Sequence, residues 1–261
     1  MEFWDVLILG TIQGLTEFLP ISSSGHLVIS QYLLGIKAPG VSLEIWLHFG
    51  TLIAVLVYYF RRLLEIAKAL IGRSENRDEN LRLLMAIIIG TTPAAVIGLS
   101  FKSSIEAAFG SPSFVSAMLV VTGVILLLSG LARNKNLQIN MPRGLGIGMA
   151  QALAILPGLS RSGSTITCAM LLGVKPKQAA EFSFLLAIPA IGGAFVLDLI
   201  SSDISVWSGN ELGLFLIGAL VSFVIGLLSI HYLLKLIARG KFYIFGFYCF
   251  AAGIISYIFI N

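Results

Sequence analysis

Charged residues are scarce in this chain of 261 residues, where Asp, Glu, Lys and Arg together make up only 11%. Soluble domains carry about 25% charged residues, so a soluble globular protein is excluded. Hydrophobic residues reach 57%, and the mean hydropathy is +0.95. The composition therefore predicts a polytopic membrane protein.

Cysteine is also rare. Cys168 and Cys249 both lie inside apolar segments without a third partner, so neither a disulfide framework nor a zinc site is supported, and both are interpreted as packing residues. The net charge of +4 comes from basic residues in short loops between apolar segments. Such residues set orientation in a membrane, so no nucleic-acid partner is expected.

Six apolar segments approach the length of about 20 residues that a transmembrane helix needs. They are Leu43–Phe60, Leu83–Phe101, Ser113–Ala132, Phe182–Leu199, Leu212–Leu234 and Phe242–Ile260. Two further regions, Phe3–Gly35 and Gly144–Gly173, are interrupted midway by Pro and by a Ser/Gly cluster. Non-helical backbone is tolerated at membrane depth only where protein or a watery cavity satisfies it, so each region is predicted to be a re-entrant helical hairpin. The expected fold is all-α, with ten helical segments.

Basic residues indicate the orientation. Fourteen of the 17 Lys and Arg residues lie in four loops, within Arg61–Arg82, Arg133–Arg143, Lys175–Lys177 and Lys235–Lys241. Six spans and two returning hairpins place all four loops on one side, which the positive-inside tendency makes the cytoplasm. Both termini are then predicted outside the cell membrane. The first of these loops starts amphipathic and is interpreted as an interfacial helix followed by a solvated turn.

Each half of the chain consists of one hairpin followed by three spans, an odd number of crossings. The halves must therefore enter from opposite sides, which predicts an inverted-topology repeat within a single membrane domain. Repeat 1 is placed at about 1–132 and repeat 2 at about 144–261. One hairpin dips from outside and the other from inside, so their tips are expected to meet near the midplane.

The first hairpin carries the polar stretch QGLTEFLPISSSGHL, from Gln13 to Leu27. Ionisable groups at membrane depth are costly and mark function by default. Gln13 and Glu17 are four residues apart and share a helix face, aimed towards a cluster of serines. The two side chains could bind a metal together, or the amide of Gln13 could orient the carboxylate of Glu17. A buried structural role for Glu17 and a packing role for His26 remain the alternatives.

The second hairpin contains the related stretch QALAILPGLSRSGST and supplies a cation, Arg161. Its neighbours are small hydroxyl and glycine residues: Ser160, Ser162, Gly163, Ser164 and Thr165. An arginine fork, hydroxyls and a helix N-terminus together suit a phosphate oxyanion. The alternative is an Arg161 that only pairs with Glu17 to hold the hairpins together. His48 and His231 are expected to be core or interface histidines, with His48 and Glu44 kept as possible support for the site.

The motifs QxxxEFLPxSSSGH, LPGxSRSGxT and EFSFLLAIP (Glu181–Pro189) resemble the BacA-type undecaprenyl-diphosphate phosphatases, over nearly the whole chain. The resemblance implies a membrane enzyme with its site open to the outer face. It would remove the terminal phosphate of a C55 polyprenyl diphosphate and recycle the lipid carrier for cell-envelope glycan synthesis. It further implies a divalent cation, Mg²⁺ or Ca²⁺.

Carried over by position, the resemblance assigns catalytic roles to Glu17, Ser23, His26 and Arg161. The phosphate-binding set is then Ser22, Ser24, Gly25, Ser160, Ser162, Gly163 and Thr165, and the metal ligands are Glu17 and Gln13. One departure is Gln13, because the family often has Glu there and an amide cannot act as a base. The acid/base role therefore shifts to Glu17.

Several alternatives stay open at this stage. The nucleophile is Ser23, His26 or a metal-bound water, with Ser23 slightly favoured. A polyprenyl-phosphate flippase is the rival function, because inverted repeats with a polar midplane site are typical of transporters. The prenyl chain length is open, and so is a homodimer.

Overall fold

The computed structural model describes residues 2–36, 42–201 and 209–260 of the chain, and these ranges contain helices and no strand. In chain order the helices are α1 Phe3–Thr16, α2 Ser23–Leu34, α3 Ser42–Tyr58, α4 Phe60–Leu70, α5 Arg77–Ser100, α6 Lys102–Phe109, α7 Pro112–Leu128, α8 Met141–Leu153, α9 Arg161–Leu171, α10 Pro176–Ser201, α11 Gly209–Ala238 and α12 Ile244–Ile260. The prediction of an all-α polytopic fold is confirmed.

Four predicted spans lie in helices that are long and apolar enough to cross a membrane: α5, α7 with its 3-10 extension, α10 and α11. The predicted span Leu43–Phe60 is instead a 17-residue helix that bends by 71° into α4 after Tyr58. The last predicted span, α12, also has 17 residues. At 1.5 Å per residue such a helix is about 25 Å long, slightly less than a hydrocarbon core of about 30 Å.

The prediction of ten helical segments is wrong, because the described ranges contain twelve. One addition is α4, where an interfacial helix was expected within a basic loop. The other is α6, whose eight residues KSSIEAAF have no buried member. A short, polar helix of this kind has no hydrophobic run, so the search for apolar segments passes over it.

The two hairpins have the short halves that the sequence predicts, with 14 and 12 residues in α1 and α2 and 13 and 11 in α8 and α9. Helix α1 packs along α11, and helix α8 packs along α5. Each hairpin thus lies against a long helix of the other half. The same reciprocity appears where α7 packs on α12 and α3 on α10, as an inverted repeat requires. The proposed repeat boundaries stay a prediction.

Small residues bring these helices into backbone contact. A Cβ at Gly14 of α1 would lie 2.9 Å from the carbonyl oxygen of Ser222 on α11. A Cβ at Gly148 of α8 would lie 2.2 Å from the carbonyl oxygen of Gly90 on α5. Close approach of this kind is how helices associate where lipid removes the hydrophobic driving force. It fixes the depth of both hairpins relative to the long helices.

We expect Gly148→Ala to lower the melting temperature of the detergent-solubilised protein, because the methyl group forces α8 away from α5. The expected cost is about 1–3 kcal/mol, typical of overpacking. Gly193→Ala on α10 is the matched control, since no heavy atom lies within 4 Å of its Cβ position. Thermal unfolding of both variants checks the result, and equal melting temperatures would show that the α5–α8 contact is looser than described.

Candidate active site

In each hairpin the second helix begins at the tip, and a serine caps its N-terminus. Ser22 Oγ accepts a hydrogen bond from the Gly25 N–H at 3.2 Å, and Ser160 Oγ accepts one from the Gly163 N–H at 3.0 Å. Ser22 has φ 68°, a left-handed conformation that costs energy for a residue with a side chain. The Ser-x-Ser-Gly runs thus place the N-termini of α2 and α9 at the two tips. A helix N-terminus favours an anion.

The tips of the two hairpins touch, as the sequence predicts. The Gly158 N–H donates to Ser24 Oγ at 3.4 Å, and Ser162 Oγ donates to the carbonyl of Leu19 at 3.3 Å. A charged contact joins them as well, since Arg161 Nη2 lies 2.5 Å from Glu17 Oε1. The polar residues of the two motifs therefore form one cluster at the centre of the protein.

Glu17 is the hub of this cluster and is only 6% exposed. Its Oε2 accepts hydrogen bonds from Ser23 Oγ at 2.6 Å and from Gln13 Nε2 at 3.1 Å. Its Oε1 pairs with Arg161. One carboxylate thus contacts the favoured nucleophile and the cation at the same time. This arrangement suits removal of the Ser23 proton next to a bound phosphate.

The structure corrects the expectation that His48 is a packing histidine. From α3, His48 Nδ1 donates to the carbonyl of Glu44 at 2.7 Å, while Nε2 lies 3.5 Å from Glu17 Oε2. Thr51, one turn further along, accepts from Gln13 Nε2 at 3.4 Å. The contact with Glu17 fits the other interpretation of His48, in which this residue supports the site. Thr51 gave no sequence signal beyond its spacing from His48.

Arg161 is held from both sides and keeps spare donors. Its Nη1 donates to the carbonyl of Ser183 on α10 at 3.2 Å, and Nη2 donates to Glu17. A guanidinium has five N–H donors, and contacts with the described residues occupy two of them, which leaves three for a ligand. The pairing of Arg161 with Glu17, considered from the sequence as an alternative to phosphate binding, is therefore compatible with it.

Thr165 lies behind Arg161 and is fully buried. Its hydroxyl contacts the carbonyl of Arg161 at 2.8 Å and Ser183 Oγ at 2.6 Å. The structure thus places Thr165 as a brace for Arg161 together with Ser183. Ser183 belongs to the EFSFLLAIP motif, which was noticed in the sequence but given no role.

The turn of the second hairpin is fastened by Thr122 of α7, another residue that sequence reasoning missed. Its hydroxyl donates to the carbonyl of Gly158 at 2.8 Å and accepts from the Ser160 N–H at 3.0 Å. Gly158 has φ 92°, and a Cβ there would lie 2.3 Å from the carbonyl of Val115. The turn therefore needs glycine at this position.

His26 contacts different partners from those that the sequence suggests. Its Nδ1 donates to the carbonyl of Ser22 at 2.8 Å, and its Nε2 lies 2.8 Å from the hydroxyl of Tyr248 on α12. Among the described residues, neither ring nitrogen is hydrogen-bonded to Ser23 or Glu17. Tyr248 gave no sequence signal, because it is one of several aromatic residues in an apolar helix.

A metal ion has few protein ligands at this site. No group of three or more His, Cys, Asp or Glu residues arranged for a metal occurs in the described ranges. Gln13 Oε1 is nevertheless buried beside Glu17 and finds no hydrogen-bond partner among the residues that the structure describes. Mg²⁺ is commonly bound by one or two carboxylates together with substrate phosphates. The residues therefore fit a cation that is shared with a phosphate ligand and do not form an all-protein cage.

The fold and the site together define a polytopic membrane protein with a buried polar centre, in which Glu17 and Arg161 meet, built from two helical hairpins. The family model described as bacitracin resistance protein BacA matches residues 6–255, so the chain belongs to the BacA family. Three relatives are each named undecaprenyl-diphosphatase. The chain is 44% identical to that of Syntrophotalea carbinolica, with 97% of each chain covered. It is 41% identical to that of Desulforapulum autotrophicum (99% of this chain, 98% of the relative) and 39% to that of Korarchaeum cryptofilum (97% and 98%).

Proposed function

We propose that this protein is an undecaprenyl-diphosphatase, which hydrolyses the terminal phosphate of undecaprenyl diphosphate and returns the monophosphate carrier to cell-envelope glycan synthesis. The observation that carries the proposal is Glu17, which bonds to Ser23 of its own hairpin and to Arg161 of the other. The family membership and the names of the relatives agree with it. None of the relatives named above is a transporter, so the flippase alternative is not pursued.

In the proposed reaction the diphosphate binds at the N-termini of α2 and α9, against the spare N–H donors of Arg161. Ser23 Oγ attacks the terminal phosphorus while Glu17 takes its proton. A bond forms between Oγ and phosphorus, the bridging phosphorus–oxygen bond breaks, and undecaprenyl phosphate leaves. Positioning and charge stabilisation dominate such transfers. The remaining hydroxyl and amide contacts come from Ser22, Ser24, Gly25, Ser160, Ser162 and Gly163, which exchange their present bonds within the tips for bonds to the phosphate oxygens.

Water then hydrolyses the phosphorylated Ser23. The phosphorus–Oγ bond breaks, inorganic phosphate is released, and Glu17 returns its proton to Oγ. His26, at the same tip, takes a proton from this water through Nε2 once the Tyr248 hydroxyl has moved aside, and passes that proton to the released phosphate or to solvent. Ser23 is preferred as nucleophile over His26 because the only lone pair of His26, at Nε2, faces the Tyr248 hydroxyl, whereas Ser23 is bonded directly to a carboxylate.

We also propose Mg²⁺ or Ca²⁺ as the cofactor. Gln13 Oε1, the unpartnered acceptor, and Glu17 are the groups that would hold the ion. When bound, it neutralises charge on the diphosphate oxygens. With Gln13 in place of a second carboxylate, the site has one negative charge fewer, which leaves more of the binding to Arg161 and to the substrate itself.

For the orientation we propose basic loops in the cytoplasm, both termini outside, and a site that opens to the outer face of the cell membrane. The distribution of Lys and Arg supports this arrangement. Labelling of single cysteines at Lys102 and Arg133 with a membrane-impermeant reagent distinguishes the alternatives. Reaction from outside the cell is expected at position 102 and not at 133, and the reverse pattern would invert the orientation.

Phosphate release by the detergent-solubilised protein tests the function. Detergent removes sidedness, so a phosphatase releases inorganic phosphate from undecaprenyl diphosphate whereas a pure transporter does not. Shorter polyprenyl diphosphates report the chain-length preference, and a parallel series with chelator reports the cation. We expect release that stops with chelator and resumes with added Mg²⁺ or Ca²⁺. Absence of release under every metal condition would overturn the proposal.

A further inference from the structure

Tyr248 of α12 contacts the hairpin that carries the nucleophile, although 222 residues separate it from His26. Its hydroxyl lies 2.8 Å from His26 Nε2. The two rings also stack, with centroids 5.7 Å apart and an interplanar angle of 7°. A hydrogen bond at the ring edge and a parallel ring together fix both the position and the rotation of the imidazole.

Helix α12, which carries Tyr248, also contacts the turn of the first hairpin and packs closely on α7. The neighbouring residue Cys249 is fully buried, and its Sγ lies 3.7 Å from the carbonyl oxygen of Pro20, within the turn of the first hairpin. Two residues before Tyr248, Gly246 lets α12 approach α7 so closely that a Cβ there would lie 2.8 Å from the carbonyl oxygen of Gly123. The backbone at Tyr248 is therefore fixed against the tip, so that only the side chain is able to change position.

The hydrogen bonds define which atom of His26 is available for chemistry. A carbonyl oxygen only accepts, so the bond to Ser22 places a proton on Nδ1. The lone pair is then on Nε2, and the phenol of Tyr248 donates to it. Partners of this kind set the tautomer and the direction of a reactive histidine. Nδ1 is committed to the backbone, so Nε2 is the atom through which His26 acts on water or phosphate.

We propose that Tyr248 is a positioning residue for His26, which fixes the orientation of the imidazole and occupies its Nε2 lone pair until a ligand at the tip displaces the phenol. The proposal rests on the proposed phosphatase function. It assigns a role to α12, from which neither motif of the sequence draws a residue. Tyr248 is 48% exposed, so the ring has room to move aside without disturbing the core.

Tyr248→Phe tests this role, because it removes the hydroxyl and keeps the stacked ring. We expect kcat for phosphate release from undecaprenyl diphosphate to fall about tenfold, as for the loss of one hydrogen bond at a reacting group, with KM within about twofold of wild type. Combined with His26→Ala, it should cause no further loss, since Tyr248 acts only through His26. Tyr243→Phe, an exposed tyrosine just before α12, is the matched control and should retain wild-type kcat.

The ¹⁵N resonances of the imidazoles give a readout that is independent of turnover. The chain has three histidines, so His26→Ala identifies the signal of His26. In Tyr248→Phe we expect the Nε2 resonance of His26 to move downfield, as for a lone pair that loses its donor. Wild-type kcat in Tyr248→Phe, or multiplicative losses in the double variant, would overturn the proposed role. If wild type itself releases no phosphate, the phosphatase function fails, whereas an unmoved Nε2 resonance contradicts the Tyr248 contact itself.

Discussion

Arg161→Lys is expected to lower kcat/KM for undecaprenyl diphosphate about a thousandfold, the low end of what an arginine contributes to phosphoryl transfer. Lysine keeps the charge, but its ammonium has only three N–H donors on one nitrogen, so it cannot reproduce the planar fork that contacts Glu17 and the Ser183 carbonyl and leaves three donors for a phosphate. A thousandfold loss corresponds to about 4 kcal/mol of transition-state stabilisation. Phosphate release from the purified variant measures it.

The chain contains a matched control for this substitution. Arg62 of α4 and Glu181 of α10 form a second Arg–Glu ion pair. Its Nε and Oε1 atoms are 2.9 Å apart, and both side chains are about 30% exposed. Arg62→Lys changes an arginine that also pairs with a glutamate of another helix, in a more exposed position away from the hairpin tips, so kcat/KM should stay within about threefold of wild type. If the two variants lose activity equally, Arg161 contributes through stability and not through the phosphate.

Glu17→Gln is expected to lower kcat about a thousandfold while KM changes much less. The amide keeps the shape of the side chain and can still contact Ser23, but it cannot take the proton of the attacking hydroxyl. General-base catalysis contributes about 10²–10⁴-fold, and loss of the charge that pairs with Arg161 adds to it. Steady-state phosphate release gives both constants.

Glu181→Gln provides the control, since it neutralises the acidic member of the other Arg–Glu pair and lies outside the tips. Its kcat should remain close to that of wild type. Ser23→Ala should match Glu17→Gln, because the two residues act in one step. Substantial turnover in Ser23→Ala with little in Glu17→Gln would move the nucleophile from Ser23 to water.

The sequence was informative wherever polar residues interrupt an apolar run. Pro20 and the two Ser-x-Ser-Gly runs predicted hairpins that are too short to span, and the count of crossings predicted that their tips meet, as Arg161 and Glu17 do. These inferences succeed because unsatisfied polar groups are costly in lipid. A polar interruption of an apolar segment is therefore recognisable from the sequence alone.

The residues that the sequence did not reveal carry no such marker. Thr51, Thr122, Ser183 and Tyr248 each lie inside a continuous helix and belong to neither hairpin, so each reaches the site only through packing. Their bonds to the hairpins span sequence separations of up to 222 residues. Periodicity shows which face of a helix is apolar, but it contains no information about which helix lies opposite. His48 was misjudged for the same reason.

The central claim is that two hairpins, entering from opposite sides, form a single catalytic unit around the contact between Glu17 and Arg161. A double-variant cycle on these two residues, measured as kcat/KM for phosphate release with folding verified by thermal unfolding, tests it most directly. We predict that Glu17→Gln combined with Arg161→Lys is hardly slower than the slower single variant, as for residues that act together. Losses that multiply would contradict the account, because they would mean that the two tips contribute independently.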